Sequence, residues 1–306
     1  MVLSAEDHLE AARGALDSGF PKVALLKIEA AVPMIGNAEA GDQANLLYAR
    51  ALIADGQAEA AVKLLGAVSA NAGLMKKFWL AQAFAANGGS AEALEKYTNS
   101  AMAADFLFFR EAVLGRASML RNLNRLEEAV TVLADAASWP SSPEKNQALL
   151  DLAELHIVKG NGVEAQKVLV HLPVEDLQDR TKKDFLSAAA MCLLNKNESA
   201  LEILANLKPG NANMLTSSVI LQAQAFSRMG RSSEAESLLE DFIAGHSAIP
   251  GLERVFVALD GVYAAAPNAS SSEMKRWSEE KDATPRRKLA TYYLARLEAR
   301  QGAMKQ

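Results

Sequence analysis

Asn122-Leu-Asn-Arg-Leu-Glu-Glu-Ala-Val-Thr-Val-Leu-Ala-Asp-Ala-Ala-Ser-Trp-Pro140 is the stretch whose reading decides the fold, because its outline recurs along most of the chain. Ala129 follows the turn-prone Asn124 by five residues, and the same interval separates Gly19 from Ala24, Gly56 from Ala61, Gly88 from Ala93, Gly160 from Ala165, Asn195 from Ala200 and Gly230 from Ala235. Twelve residues before each of those alanines stands another, at Ala12, Ala49, Ala81, Ala117, Ala153, Ala188 and Ala223. Alanine fills 58 of the 306 positions, so one such pair means nothing. Seven pairs in one phase set a repeat whose alanines recur every 32 to 37 residues.

Two short helices join tightly only where the chain can reverse at positive φ, which Gly allows freely and Asn better than most. Helices that cross closely need small side chains where their axes approach, and the paired alanines meet that need. Larger residues then fill the gaps: Leu52, Phe84, Leu120 and Phe226 on first helices, and Leu65, Tyr97, Leu133, Leu169, Leu204 and Leu239 on second helices. The pattern predicts an all-α array of antiparallel helix pairs.

With its period, paired alanines and turn residues, the chain resembles the tetratricopeptide repeat (TPR) family. Pro33, Pro140, Pro173 and Pro209 stand about where that family closes its second helix, and proline there ends a helix for lack of a donor. The chain departs from the pattern in two ways. The aromatic that often opens the first helix is mostly missing, and the aromatic of the second helix is usually Leu. The resemblance implies a right-handed superhelical solenoid whose first helices line a concave inner surface.

The expected units span about 4–38, 41–70, 73–103, 105–140, 142–173, 180–209 and 213–250, then a degenerate 251–283 and a half unit or capping helix over 285–306. Ser4 is the expected cap of the first helix, with Glu6 and Asp7 in its first turn. Ser141-Ser-Pro-Glu reads as a capping box opening the fifth unit. Gly251 to Ala266 reads as another first helix, and Ser270-Ser-Ser-Glu273 as the cap of the next. In the last segment, Ala295 and Gly302 repeat the interval of Ala49 and Gly56, and Gly302-Ala-Met reads as a turn. That segment, with Arg296, Arg300 and Lys305, reads either as a polar cap or as part of a longer repeat protein.

Half the residues are apolar and the formal net charge is −5, which argues against general nucleic-acid binding, since that affinity comes from Lys and Arg neutralising phosphates. No run approaches the roughly 18 to 20 apolar residues of a membrane span, so no direct membrane insertion is expected. The start, Met1-Val2-Leu3-Ser4-Ala5-Glu6-Asp7, lacks the basic and apolar regions of a signal peptide. A cytoplasmic protein, or an exported one whose leader has been removed, is the expectation.

Enzyme chemistry finds no purchase. His8, His156, His171 and His246 fall in different units without metal-ligand spacing, and no metal or cofactor is expected. Cys192 is the only cysteine and reads as a small buried apolar residue. Asp151 and Glu154 could form a carboxylate pair, but nothing nearby supplies a nucleophile or ligand, so they read as a solvated face. Gly88-Gly89 and Gly160-Asn-Gly162 lack the strand that a phosphate loop requires, and read as interhelix turns.

The second and third units carry the most apolar first helices: Leu46, Leu47, Tyr48, Leu52 and Ile53, then Met75, Phe78, Trp79, Leu80 and Phe84. That is more than one buried face needs. The family's inner positions project onto Leu46, Arg50, Phe78, Trp79, Gln82, Arg121, Glu154 and Arg228 as partner-binding groove residues. Members that clamp chaperone C-terminal carboxylates use Lys and Asn there; Leu46, Leu47 and Phe78 argue against such a clamp. The expected function is a non-enzymatic scaffold presenting an apolar groove to a peptide or amphipathic helix of another protein. On this reading, Phe78→Ala with Trp79→Ala weakens binding tenfold or more. Its rivals are an architectural or self-assembling subunit, forming homo-oligomers or larger complexes, and the sensor portion of a longer regulator.

Overall fold

The computed structural model describes residues 3–36, 38–170, 172–173, 176–265 and 272–303. Among the described residues the regular structure is helical throughout, with no strand. Two compact units divide the chain, residues 1–148 and 149–306.

In unit 1, α1 (Ala5–Asp17) pairs with α2 (Pro21–Ala31), α3 (Ala38–Ala54) with α4 (Ala58–Ala67), α5 (Gly73–Ala86) with α6 (Ser90–Ser100), and α7 (Phe109–Asn122) with α8 (Leu126–Ala134). Each helix packs on the next, and the first helices also touch in succession, α1 on α3, α3 on α5 and α5 on α7. The division between units falls inside α9 (Pro143–Val158), which α10 (Gly162–Val170) follows. Unit 2 continues with α11 (Leu177–Leu193), α12 (Asn197–Asn206), α13 (Ala212–Arg228), α14 (Ser232–Gly245), α15 (Leu252–Ala265), the short α16 (Ser272–Ser278) and α17 (Pro285–Ala303). Here α11 touches α13, α13 touches α15, and α15 touches α17.

One local device makes all seven tight turns. Gly19, Gly56, Gly88, Asn124, Gly160, Asn195 and Gly230 have φ between 57° and 82°. The residue after each donates its amide to a carbonyl five positions back, as Arg125 does to Leu120 at 2.8 Å and Asn161 to His156 at 2.8 Å. This closure satisfies carbonyls that a helix end otherwise leaves open. The carbonyl of that same residue then accepts the amide of the repeat alanine, as Arg125 does from Ala129 at 3.1 Å, so one residue ends one helix and starts the next.

All fourteen repeat alanines are buried, as are Leu65, Tyr97, Leu133, Leu169, Leu204 and Leu239. Leu52 and Leu120 are buried too, while Phe84 and Phe226 are half-buried. A methyl fills each alanine site with no room to spare, so Ala165→Trp is expected to cost at least about 1–3 kcal/mol by overpacking. Gln166, which the repeat pattern places at the surface, is half-buried and donates to the Ser187 carbonyl at 3.0 Å. Exposed Glu164 is the better control, and Glu164→Trp should leave the denaturation midpoint nearly unchanged.

Helix starts follow the sequence with small shifts. Ser4 caps α1 in a capping box with Asp7, whose carboxyl is held below its ordinary range by the Ser4 backbone and hydroxyl. At α9 the cap is Ser142 rather than Ser141: its hydroxyl accepts the Lys145 amide at 3.2 Å, because Pro143 takes the first helical position. Ala266, His171, Ser270, Ser271, Met304 and Lys305 lie outside the described residues.

The far end of unit 2 departs from the expected phase. Ala290, Tyr293 and Leu297 are the buried positions of α17, Ala295 is exposed, and Gly302 remains helical instead of turning. Tyr293 stacks on Phe256 at 5.7 Å, and Phe256 meets Trp277 edge-on at 6.0 Å. Tyr293, one turn before Leu297, offers more apolar area than an alanine, and together they set the helix's rotation.

Glu240 of α14 accepts a hydrogen bond from the Tyr263 hydroxyl. Burial pushes its carboxyl up, the Tyr263 bond opposes this, and Glu236, Glu273 and Asp241 add repulsion. A carboxyl raised in the folded state stabilises the fold below its ordinary pKa and loses that contribution as pH climbs through the raised value. Glu240→Gln keeps the acceptor without the charge. It should therefore melt above the wild type at neutral pH, with the gap closing as pH falls towards about 4.

Candidate functional site

The first helices of unit 1 carry apolar side chains beyond those they bury. Leu46, Leu47, Tyr48 and Ile53 of α3 and Trp79 and Leu80 of α5 are half-buried, all against one cluster that includes Ala49, Leu52, Leu65 and Ala83. Trp79 also packs on the neighbouring cluster of α5–α7, meeting Phe108 at 5.7 Å. Leu46 and Trp79 thus share one cluster, with Gln82 half-buried a turn further along α5.

Phe78 lies elsewhere. It is 2% exposed, stacked on Phe108 at 4.8 Å, and meets Trp79, Tyr97 and Phe106 edge-on at 5.1, 6.2 and 6.0 Å. The groove position projected for it is occupied by the core, because residues 101–108 fold two phenylalanines back over α5. Tyr97 stays in that cluster by lying flat on Gly115, where an added Cβ would come within 2.4 Å of its ring. Burial pushes the Tyr97 hydroxyl far above its ordinary pKa.

Three of the polar residues projected onto the groove, Arg50, Glu154 and Arg228, are engaged in ties between successive first helices. Arg50 of α3 pairs with Asp17 at 2.7 Å, just past the repeat alanine of α1. Glu154 and Asp151 of α9 share Lys182 of α11 at 3.7 and 3.0 Å. Arg228 of α13 donates to the Cys192 carbonyl of α11 at 2.6 Å. Arg121, exposed, ends α7. Leu46, Arg50, Phe78, Trp79, Gln82 and Arg121 belong to unit 1, and Glu154 and Arg228 to unit 2.

Unit 2 has a recess of about 510 Å³ built from first helices and from Asn211 and Gly251, which lead into two of them. Phe185 of α11, Asn213, Met214 and Ser217 of α13, and Arg254 of α15 line it. Arg254 reaches across to the Thr216 and Ser217 hydroxyls at 3.1 and 3.4 Å. Gly251, at φ 81°, leaves the space for it; a Cβ there would stand 2.9 Å from both Arg254 and Thr216. None of these residues follows from the alanine repeat: Asn213, Met214 and Arg254 sit at helix starts, where the alanine phase gives no register, and Phe185 lies midway along α11. The one signal was Pro250-Gly251, a stop followed by a residue suited to positive φ.

Cys192 is buried and its thiol is pushed up by that burial. Among the described residues no group of His, Cys, Asp and Glu could hold a metal ion, and no helix is long and apolar enough to cross a membrane.

Among solved structures, a tetratricopeptide repeat protein from Parabacteroides merdae matches with a TM-score of 0.57 at 14% identity, over 84% of this chain and 98% of that one. The chain has the TPR fold. A second TPR-like match, from the APC/C hetero-tetramer Cut9-Hcn1, has a TM-score of 0.50 at 14% identity and covers 95% of this chain and 58% of that chain. No protein-family model and no curated protein matches the sequence. At such identity the shared TPR architecture fixes helix order and pairing, while the chemistry of the inner face is this chain's own.

Proposed function

We propose that the chain is a non-enzymatic protein-interaction scaffold whose first helices in unit 1 receive a peptide or amphipathic helix of a partner protein. The observation that carries this reading is the half-buried apolar set on α3 and α5, Leu46, Leu47, Tyr48, Trp79 and Leu80. An apolar helix face laid against it would bury area that the fold itself leaves open. The match to a component of a hetero-tetramer supports an assembly role of the same kind. Helices already stacked into an array lose little further entropy on binding.

Affinity capture from an extract of the source organism, with the wild type beside Leu46→Gln and Trp79→Ala, tests the proposal. Partners retained by the wild type and weakened tenfold or more in both variants, each with unchanged helical circular dichroism, are the expected result. Capture of nothing but further copies of the chain, with sedimentation that depends on concentration, would replace it with the self-assembling subunit.

A further inference from the structure

A slot against a second helix, floored by the end of the first helix that follows it, occurs in both units at the same place in the repeat. In unit 1 it lies between α6 and α8, on Leu120 and Leu123 of α7. Arg125, directly after the turn residue Asn124, is clasped there by Glu128 through two bonds of 2.7 Å, and Glu95 adds a second carboxylate. The same clasp joins Arg231 to Glu234 at the turn between α13 and α14.

In unit 2 the slot between α10 and the turn that leads into α12 has a volume of about 360 Å³ and a different lining. Met191 and Leu194 of α11 form its floor, and Val163 and Val170 of α10, 53% and 66% exposed, form one wall. These two valines are two turns apart and share a helix face. Lys196 stands where Arg125 and Arg231 do, but Ser199 replaces their glutamates, so the clasp is absent. Lys167 stands on the same wall as the two valines, paired with Glu164 at 2.7 Å, and among the described residues no carboxylate lines the slot itself.

We propose that this slot is a second docking site, on the second-helix side of unit 2, for a segment of a partner protein carrying an apolar side chain with a carboxylate close to it in sequence. The apolar side chain enters between Val163, Val170, Met191 and Leu194, and the carboxylate takes the place beside Lys196 that Glu128 fills beside Arg125 and Glu234 beside Arg231. Charge selects this occupant. A neutral or basic apolar segment brings Lys196 no counter-charge, and a second copy of the chain in a two-fold contact would present the same basic rim. The site does not depend on the first-helix surface.

The test is selection of a random-peptide phage library on the whole chain, followed by fluorescence anisotropy of the enriched peptides. The expected peptides combine a large apolar residue with neighbouring Asp or Glu. Their affinity should fall at least about tenfold with Val170→Ser and with Lys196→Glu. Both positions are exposed, so both variants should keep the wild-type melting curve. The proposal is overturned if no peptide is enriched, or if enriched peptides lack acidic residues. It is also overturned if they lose affinity with Trp79→Ala but keep it with Val170→Ser. A change in sedimentation of the free chain on Val170→Ser would make a second copy the occupant and overturn it as well.

Discussion

Phe78→Ala is expected to lower the unfolding free energy by about 3–5 kcal/mol, the range for deleting a buried aromatic ring. The ring is 2% exposed and touches four others, Trp79, Tyr97, Phe106 and Phe108, so its removal opens a void that rigid neighbours cannot close. Urea denaturation of the variant should show an earlier midpoint, and Phe78→Leu should recover part of the loss by refilling the site. A change within about 0.5 kcal/mol of wild type would mean that the ring is not part of the core. The consequence reaches the interaction surface. Loss of a partner in Phe78→Ala would report weakened packing beneath α5, whereas Leu46→Gln alters a side chain that solvent already reaches.

The helix pairs were legible in the sequence because their determinants are local. Positive φ at Gly19 or Asn124 and a methyl-sized contact at Ala129 or Ala165 are demands that a few neighbouring residues impose, and each leaves a fixed interval behind it. Phe78 was misplaced for the opposite reason. Periodicity puts it on the inner face of α5, but Phe106 and Phe108, about thirty residues on, fold over it, and no local interval encodes that contact. Gly115 is the partner of Tyr97 for a related cause: an aromatic where other second helices carry Leu requires a missing side chain on the next helix. Arg50, Glu154 and Arg228 fell on first helices as projected, yet their partners, Asp17, Lys182 and the Cys192 carbonyl, come from the preceding or following first helix. Register between repeats, not within one, decides whether such a side chain is a tie or a free contact.

Asp260→Ala should cost about 2–3 kcal/mol and loosen α17 before the rest of unit 2 unfolds. Asp260 of α15 is 8% exposed and receives two of the four arginines of α17: Arg296 at 3.2 Å on one carboxylate oxygen and Arg300 on the other. Arg300 also donates to the Asp260 carbonyl at 3.3 Å. Breaking a buried ion pair from one side typically costs about 3–5 kcal/mol, because a charge stays behind without its partner. The arginine side chains are 28% and 51% exposed, so water recovers part of that cost and the smaller figure applies. Arg296→Ala, which removes the more exposed partner, should shift the denaturation midpoint much less than Asp260→Ala does. A double-mutant cycle of Asp260→Ala with Arg300→Ala should show clear coupling. Hydrogen exchange should place the faster opening in the second half of α17, where Tyr293 and Leu297 then hold the helix by apolar contact, while Arg286 still ties its start to the Ile243 and Ala244 carbonyls at 3.0 and 2.6 Å. Equal exchange in wild type and variant would assign the hold on α17 to its apolar contacts and to Arg286.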